Sequence, residues 1–268
     1  MKGVKMNRKK ILLIAGILLC IAAGTQAQEA DEARLGVDLD ATWVSKYLWH
    51  GFDLFDDKAA FQPSVNVDFW GSGFSFNYWA SIPCSSGLVN LTEYDYTVAY
   101  DRTVFEGEKY ATDVTANYIY YDFPDEPDRA ADGQELGVGF AWPNILPAGV
   151  VPSYYVGKIW ASKSDSDLGS DFGGFIHVFG LGYDLTVPGI LPDTSEQTLS
   201  LTADLTYNDG YGSATAEHDW SHATLGISSG FEIGGATFTP ALYYQISMDD
   251  SVNDEDEIWV GLSLTYRF

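Results

Sequence analysis

Carboxylates recur at every second position over several stretches of this chain, and that spacing is the first thing in it that could do chemistry. Asp38 with Asp40 and Glu93 with Asp95 are pairs of this kind, and Asp68, Asp101, Asp113, Glu135 and Asp204 sit singly in similar alternating surroundings. Residues two apart share one face of an extended strand, so each pair would point the same way. If that way is a water-filled lumen, a ring of carboxylates concentrates cations and repels anions. The bases in the same frame are few: Lys46, Arg267 and, on a less regular segment, Lys158.

Two other groupings could carry chemistry. His218, Asp219, Ser221 and His222, with His50 far upstream, supply the side-chain types of a nucleophile beside a base. No motif orders them, and histidines in a polar loop are ordinarily just solvated. The acidic runs at 122–132 and 249–256 offer the oxygen atoms that hard cations want, but neither has the glycine-punctuated spacing of a calcium loop. They read as a solvated face, bridged to lipopolysaccharide by divalent ions rather than holding a dedicated metal. Neither a cofactor nor a resident metal is expected, since there is no phosphate-cradling glycine loop and no Cys/His cluster.

Strands must position these acids. The final eleven residues show the pattern most clearly: Ile258, Val260, Leu262, Leu264, Tyr266 and Phe268 are apolar, while Gly261, Ser263, Thr265 and Arg267 alternate with them. A period of two gives one greasy face and one polar face. The same alternation opens at Val37 and is expected to run through Trp49, then recurs in segments near 64–69, 74–82, 93–101, 112–121, 135–142, 198–207, 223–231 and 238–246. Two segments, 151–161 and 175–185, are blurred by apolar residues on both faces. That makes twelve strands. Every second connection is acidic and mostly long, whereas the others are short or rich in Gly and Pro. This asymmetry predicts an all-β, transmembrane, up-and-down antiparallel β-barrel of 12 strands with both ends of the chain on one side. Tyr and Trp fall near strand ends, Tyr47 and Trp49 among them, as expected of rings at a membrane interface.

Composition bounds the rest. Residues 1–27 have the basic start (Lys2, Lys5, Arg8, Lys9, Lys10), apolar core (Ile11 to Ala23) and small residues of a secretory signal peptide. Residues 28–35 read as a loose periplasmic leader and 36–268 as one barrel domain. The whole chain has a formal charge of −24, and without the signal it carries nine Lys and Arg against 38 Asp and Glu, a net of −29. So acidic a protein is excluded from nucleic-acid binding. With the signal removed, Cys84 is the one cysteine left, so no intrachain disulfide can form.

With the strands placed, the segment from Leu39 to Pro124 resembles the TorF-like porins, a family of outer-membrane proteins. The motifs are Trp43 to Gly51 (Trp-Val-Ser-Lys-Tyr-Leu-Trp-His-Gly), Gln62-Pro63-Ser64-Val65, Gly73-Phe74 with Trp79-Ala80-Ser81, Glu93-Tyr94-Asp95-Tyr96, and Tyr118 to Pro124. In the first of these Lys46 stands where the family has Asp, and His50 where it has Arg. The chain's last residues also resemble the closing strand of bacterial outer-membrane barrels, in which a terminal Phe is read by the barrel-insertion machinery; here that signal would be Leu264, Tyr266 and Phe268. These resemblances imply export by the Sec route to the outer membrane of a Gram-negative-type bacterium.

The function expected is a porin-like barrel for passive passage of small solutes or ions, weakly cation-preferring. Its selectivity would lie in Asp38, Asp40, Asp68, Asp95, Asp101, Asp113, Asp204, Lys46 and Arg267, with outer-membrane lipids and lipopolysaccharide as its surroundings. The alternatives are a structural or adhesive barrel without a pore and a hydrolase acting at the rim.

Overall fold

The structure, a computed structural model, describes residues 34–126, 131–163, 172–190 and 194–268. The expected signal peptide and most of the leader lie outside these residues. The chain runs through β1 (Gly36–Val44), the two-residue strands β2 (Leu48–Trp49) and β3 (Phe52–Asp53), β4 (Ala60–Asp68), β5 (Phe74–Pro83), β6 (Glu93–Val104) and β7 (Thr112–Asp122). It continues through β8 (Gly133–Ala141), β9 (Val151–Ala161), β10 (Phe175–Pro188), β11 (Glu196–Asp209) and β12 (His218–Ser228). After the short β13 (Phe231–Ile233) come β14 (Ala236–Ser247) and β15 (Glu257–Arg267).

Twelve of these strands form one antiparallel sheet in chain order, with β12 passing to β14 and β1 pairing with β15. The last ladder runs from Asp38 opposite Arg267 to Val44 opposite Gly261, so the sheet closes on itself. Closure leaves no edge, and every wall amide can find a partner without water. Strands of nine to fourteen residues are long enough to cross a bilayer when tilted. Both ends of the barrel chain lie at one rim, called the terminal rim below; the opposite end is the loop rim.

The two faces divide as the alternation requires. Residues such as Leu39, Phe74, Val98, Leu136, Leu181, Leu225, Leu242 and Ile258 project outward, and Leu136 and Ile258 are 56% and 60% exposed. An apolar band around the whole wall is far larger than soluble proteins expose. Facing inward are small and polar residues: Ser64, Asn66, Asn77, Thr97, Thr115, Asn117, Thr224 and Ser263.

Three expectations need correction. The first strand does not continue to Trp49. Ser45 ends it: its backbone amide bonds the Val260 carbonyl at 2.9 Å while its hydroxyl accepts the Val260 amide at 2.9 Å, replacing the next ladder carbonyl. Beyond this point the chain turns into the barrel as a hairpin, because His50 (φ 48°) and Gly51 (φ 96°) form a two-residue turn with both φ positive, the kind that matches strand twist. Tyr47 and Trp49 are therefore inside, 2% and 8% exposed, and not at a membrane interface. Secondly, Lys158 points outward. It stands opposite outward Leu136 on β8, and its ammonium lies 5.3 Å from the Phe175 ring centre. Thirdly, the tenth barrel strand spans His218–Ser228 rather than 223–231, with a bulge at Ser221 that breaks register beside Thr206 and Tyr207.

Glycines make room inside. Gly137 and Gly157 face each other across β8 and β9, and a Cβ at Gly137 would run into the Tyr155 hydroxyl and come within 2.5 Å of Asn117 Oδ1. Replacing Gly137 by Val should cost about 1–3 kcal/mol through overpacking, read as a lower urea midpoint in micelles. Val138→Ile, on the lipid face, should change the midpoint little.

Candidate functional site

The lumen falls into two unlike halves. Toward the terminal rim it is lined by half-buried carboxylates, each held by a short donor. Arg267 grips Asp38 with two hydrogen bonds of 2.5 Å. Asp40 accepts from the Thr42 hydroxyl at 2.6 Å and the Thr265 hydroxyl at 2.7 Å. Asp113 accepts from Thr103 at 2.6 Å, and Asp101 from Thr115 across the same ladder. Asp68 caps the tight turn that follows it, accepting the Gly71 amide at 2.6 Å. Among the described residues of this stretch one base, Arg267, stands with Asp38, Asp40, Asp68, Asp101 and Asp113, and Asp38 takes up its guanidinium. Asp204 is also inward, farther up the wall, where the absence of a side chain on Gly180 opposite leaves it space. Asp184, which the blurred eighth segment concealed, faces in as well and accepts from Ser200 at 2.8 Å.

Toward the loop rim the lumen is filled. The hairpin carrying β2 and β3 lies across it and touches β5, β6 and β7 on one side and β12, β14 and β15 on the other. On one side the Tyr47 hydroxyl donates to Glu93 at 2.7 Å, and its ring packs on Trp79 at 5.8 Å and on Phe55 at 5.0 Å. Trp49 meets Tyr121 edge-on at 5.7 Å and Tyr211 at 5.4 Å. At the tip, the Gly51 carbonyl accepts from Gln245 Nε2 at 2.9 Å, and a Cβ on Gly51 would stand 2.5 Å from the His222 ring, so only glycine lets the tip approach so closely. The seat beneath is a layer of phenols on a carboxyl: Tyr121, Tyr155 and Tyr211 all donate to Glu135, which is 1% exposed.

An ion cluster fastens the hairpin's base. Lys46 Nζ reaches Glu257 Oε2 at 2.5 Å and pairs also with Asp57. Partial burial works against the charged lysine, but these two carboxylates win and hold Lys46 above its ordinary range. The same hydrogen bond and charge depress Asp57. Asp53, Asp57 and Glu257 also lie close enough together to resemble a metal site, but Lys46 already bridges two of the three.

Several site residues thus lie elsewhere than the alternation implies. Lys46 is not a wall base but the hairpin's anchor, and Asp95 lies with Glu93 and Glu135 under the filled half, 6% exposed. The histidine and serine group is divided. His218, paired with Asp209, is exposed at the rim, whereas Ser221 Oγ lies 3.0 Å from His222 Nδ1 with both residues buried and the hairpin tip over the ring. The Ser221 hydroxyl is turned to the Thr206 carbonyl at 3.3 Å. Tyr211 and Phe55, which complete the plug, come from polar connections with no periodic signal. Leu264, Tyr266 and Phe268 project outward at the end of the closing ladder, where the Phe268 amide still bonds the Val37 carbonyl at 2.9 Å.

A closed twelve-stranded antiparallel barrel with an apolar outer band is the architecture of outer-membrane β-barrels. Among solved structures, the chain is similar to an outer membrane channel from Pseudomonas putida F1, with a TM-score of 0.52 at 10% identity over 90% of this chain and 97% of that one. It is similar also to the NanC porin, with a TM-score of 0.50 at 10% identity over 86% of this chain and 98% of that one. At this identity the likeness is one of fold. No family model and no curated relative matches the sequence, so membership of the TorF-like porins is not established.

Replacing Lys46 by Met should unseat the hairpin, because it leaves Glu257, 3% exposed, without its cation; the cost is on the order of 2 kcal/mol. The double change Lys46→Met with Glu257→Gln should cost less than the single one. Near-UV circular dichroism of the packed Trp49 reads the seating. Since Asp57 is depressed in the fold, its contribution is complete above the ordinary Asp value of about 3.9 and fades as pH falls through the lowered one. Loss of signal below about pH 4 should therefore be smaller in Asp57→Asn.

Proposed function

We propose that this protein is an outer-membrane, porin-like channel that passes small solutes or ions with a weak preference for cations, and that the seated hairpin limits its conductance. One observation carries the reading: among the described residues, the terminal half of the lumen holds Asp38, Asp40, Asp68, Asp101 and Asp113 with Arg267 as their one base. Water-filled and flanked by low-dielectric walls, such a ring raises the local concentration of cations and lowers that of anions. The likeness of fold to a porin and an outer membrane channel supports the barrel as a conduit.

In this reading the terminal rim faces the periplasm and the loop rim the exterior. The acidic outer loops meet lipopolysaccharide, and Leu264, Tyr266 and Phe268 serve insertion after Sec export. The hairpin at residues 45–59 is the narrowest place, since a solute must pass the contacts that Tyr47, Trp49 and Gly51 make with the wall. Conductance then comes from narrow paths beside the hairpin or from its temporary release.

The filled loop-rim half favours a second reading, a structural barrel with no conducting path. A hydrolase is less well supported, because the Ser221–His222 pair is covered by the hairpin and turned toward a backbone carbonyl.

Planar-bilayer recording separates these readings. A small single-channel conductance with a cation-favouring reversal potential is expected, rising severalfold when residues 46–58 are replaced by a short Gly/Ser linker. Asp101→Asn with Asp113→Asn should move the reversal potential toward zero. Anion preference would exclude the cation reading, and silence even after the hairpin is removed would leave the structural barrel.

A further inference from the structure

Beside the hairpin, just under the loop rim, is a partly enclosed cavity of about 190 Å³. It has space for roughly six waters at liquid density. Its lining is unusual for a lumen: Trp49, Phe55, Tyr121, Phe123 and Phe172 contribute rings, Leu54, Leu91 and Ile159 add apolar surface, and Glu93 brings a carboxyl group. Ordinary water-filled pores are walled by small polar groups, as the terminal half of this lumen is.

Among the described residues, the charge around the cavity is one-sided. Glu93 is 1% exposed and Asp95, two residues along the same inward face, is 6% exposed; Glu135 is 1% exposed on the neighbouring wall. One oxygen of Glu93 already accepts from the Tyr47 hydroxyl at 2.7 Å. Asp95 Oδ1, by contrast, is buried without a hydrogen-bond partner among the described residues. Lys46, the base nearest in the chain to the hairpin rings, is committed to Asp57 and Glu257. Buried carboxyl groups with no cation among them are costly to ionise, and the cost falls when a positive charge enters beside them. The three carboxyls are not drawn together as a compact metal centre would need; the Asp53, Asp57 and Glu257 group is, and this one is not.

A ligand that fits must be positive, small and apolar over most of its surface, because rings and leucines surround the single carboxyl that borders the space. Faces of aromatic rings attract such a cation, most strongly when both are shielded from water. We propose that this cavity is a binding site for a small organic ammonium ion, with its charge against Glu93 and its alkyl groups against Trp49, Phe55, Tyr121 and Phe123. The proposal deepens the channel reading and rests on it for one point: that the bound ion is a solute caught on its way through. Binding itself requires only the folded barrel.

The test is isothermal calorimetry on the full chain in detergent micelles, with choline as probe and its neutral isostere 3,3-dimethylbutan-1-ol as comparison. The two have nearly the same shape and differ in charge. Choline should bind at least tenfold more tightly, a result that needs no variant and is therefore independent of whether any variant folds. Glu93→Gln should weaken choline at least tenfold while leaving the isostere unchanged, and Phe123→Leu should weaken choline severalfold. Glu255→Gln, which removes an exposed charge from the outer loop, should stay within twofold of the wild type. Equal binding of the two probes, no measurable binding of choline, or an equal loss in Glu255→Gln and Glu93→Gln would overturn the proposal. Failure of conductance with binding intact would remove the channel reading and leave the site; failure of binding with conductance intact would remove the site alone.

Discussion

Closure of β1 onto β15 is the constraint on which everything else depends. A sheet with a free edge would leave a row of unpaired amides in hydrocarbon, where each costs several kcal/mol. The ladder from Asp38 opposite Arg267 to Val44 opposite Gly261 removes that edge. It also fixes phase, because a strand that slipped by one residue would turn every outward Leu and Ile into the lumen. Arg267 and Asp38 mark the register chemically, since their two-point hydrogen bond forms only when the strands meet in this alignment.

Given closure, the lumen solves two problems in two ways. Near the terminal rim its acids are half-buried and are satisfied one by one, most by threonine and serine hydroxyls, Asp38 by Arg267 and Asp68 by a turn amide. Near the loop rim water is displaced, and the barrel compensates with phenols. Tyrosine suits that position because it brings a large apolar body and a single strong donor. Three of them on Glu135 fill space and satisfy a carboxyl with the same atoms. The opposed glycines Gly137 and Gly157 are the complement of this arrangement, a gap left in the wall for groups that arrive from elsewhere.

Most of the wall was legible from the chain because a half-greasy strand writes its period directly into the sequence. Ile258 to Phe268 is such a case, and so are the inward positions of Asp38, Asp40, Asp101 and Asp113. What escaped was whatever did not change the period. Tyr47 and Trp49 continue the odd apolar row of β1 in perfect phase, so nothing in the pattern says that Ser45 has ended the strand. The one local clue is the His50-Gly51 step, a pair able to take the two positive φ values of a tight turn. Lys158 was ambiguous because Tyr154 and Tyr155 give its segment apolar residues on both faces, and only pairing with Leu136 settles its direction. Tyr211 had no signal, since its place is decided by Glu135, seventy-six residues earlier in the chain.

The hairpin of β2 and β3 has a consequence for the order of assembly. Its own contacts are local, two residues on each side of a two-residue turn, and such hairpins form in about 1–10 μs. Its seat is the opposite, assembled from strands spread along the chain from β5 to β15, and contacts of such long sequence separation form late. The part that fills the lumen is thus ready first and can be docked only last. During biogenesis the barrel would pass through a stage that is closed as a cylinder but still hollow, and the settling of Trp49 among its rings would be the final spectroscopic event of folding.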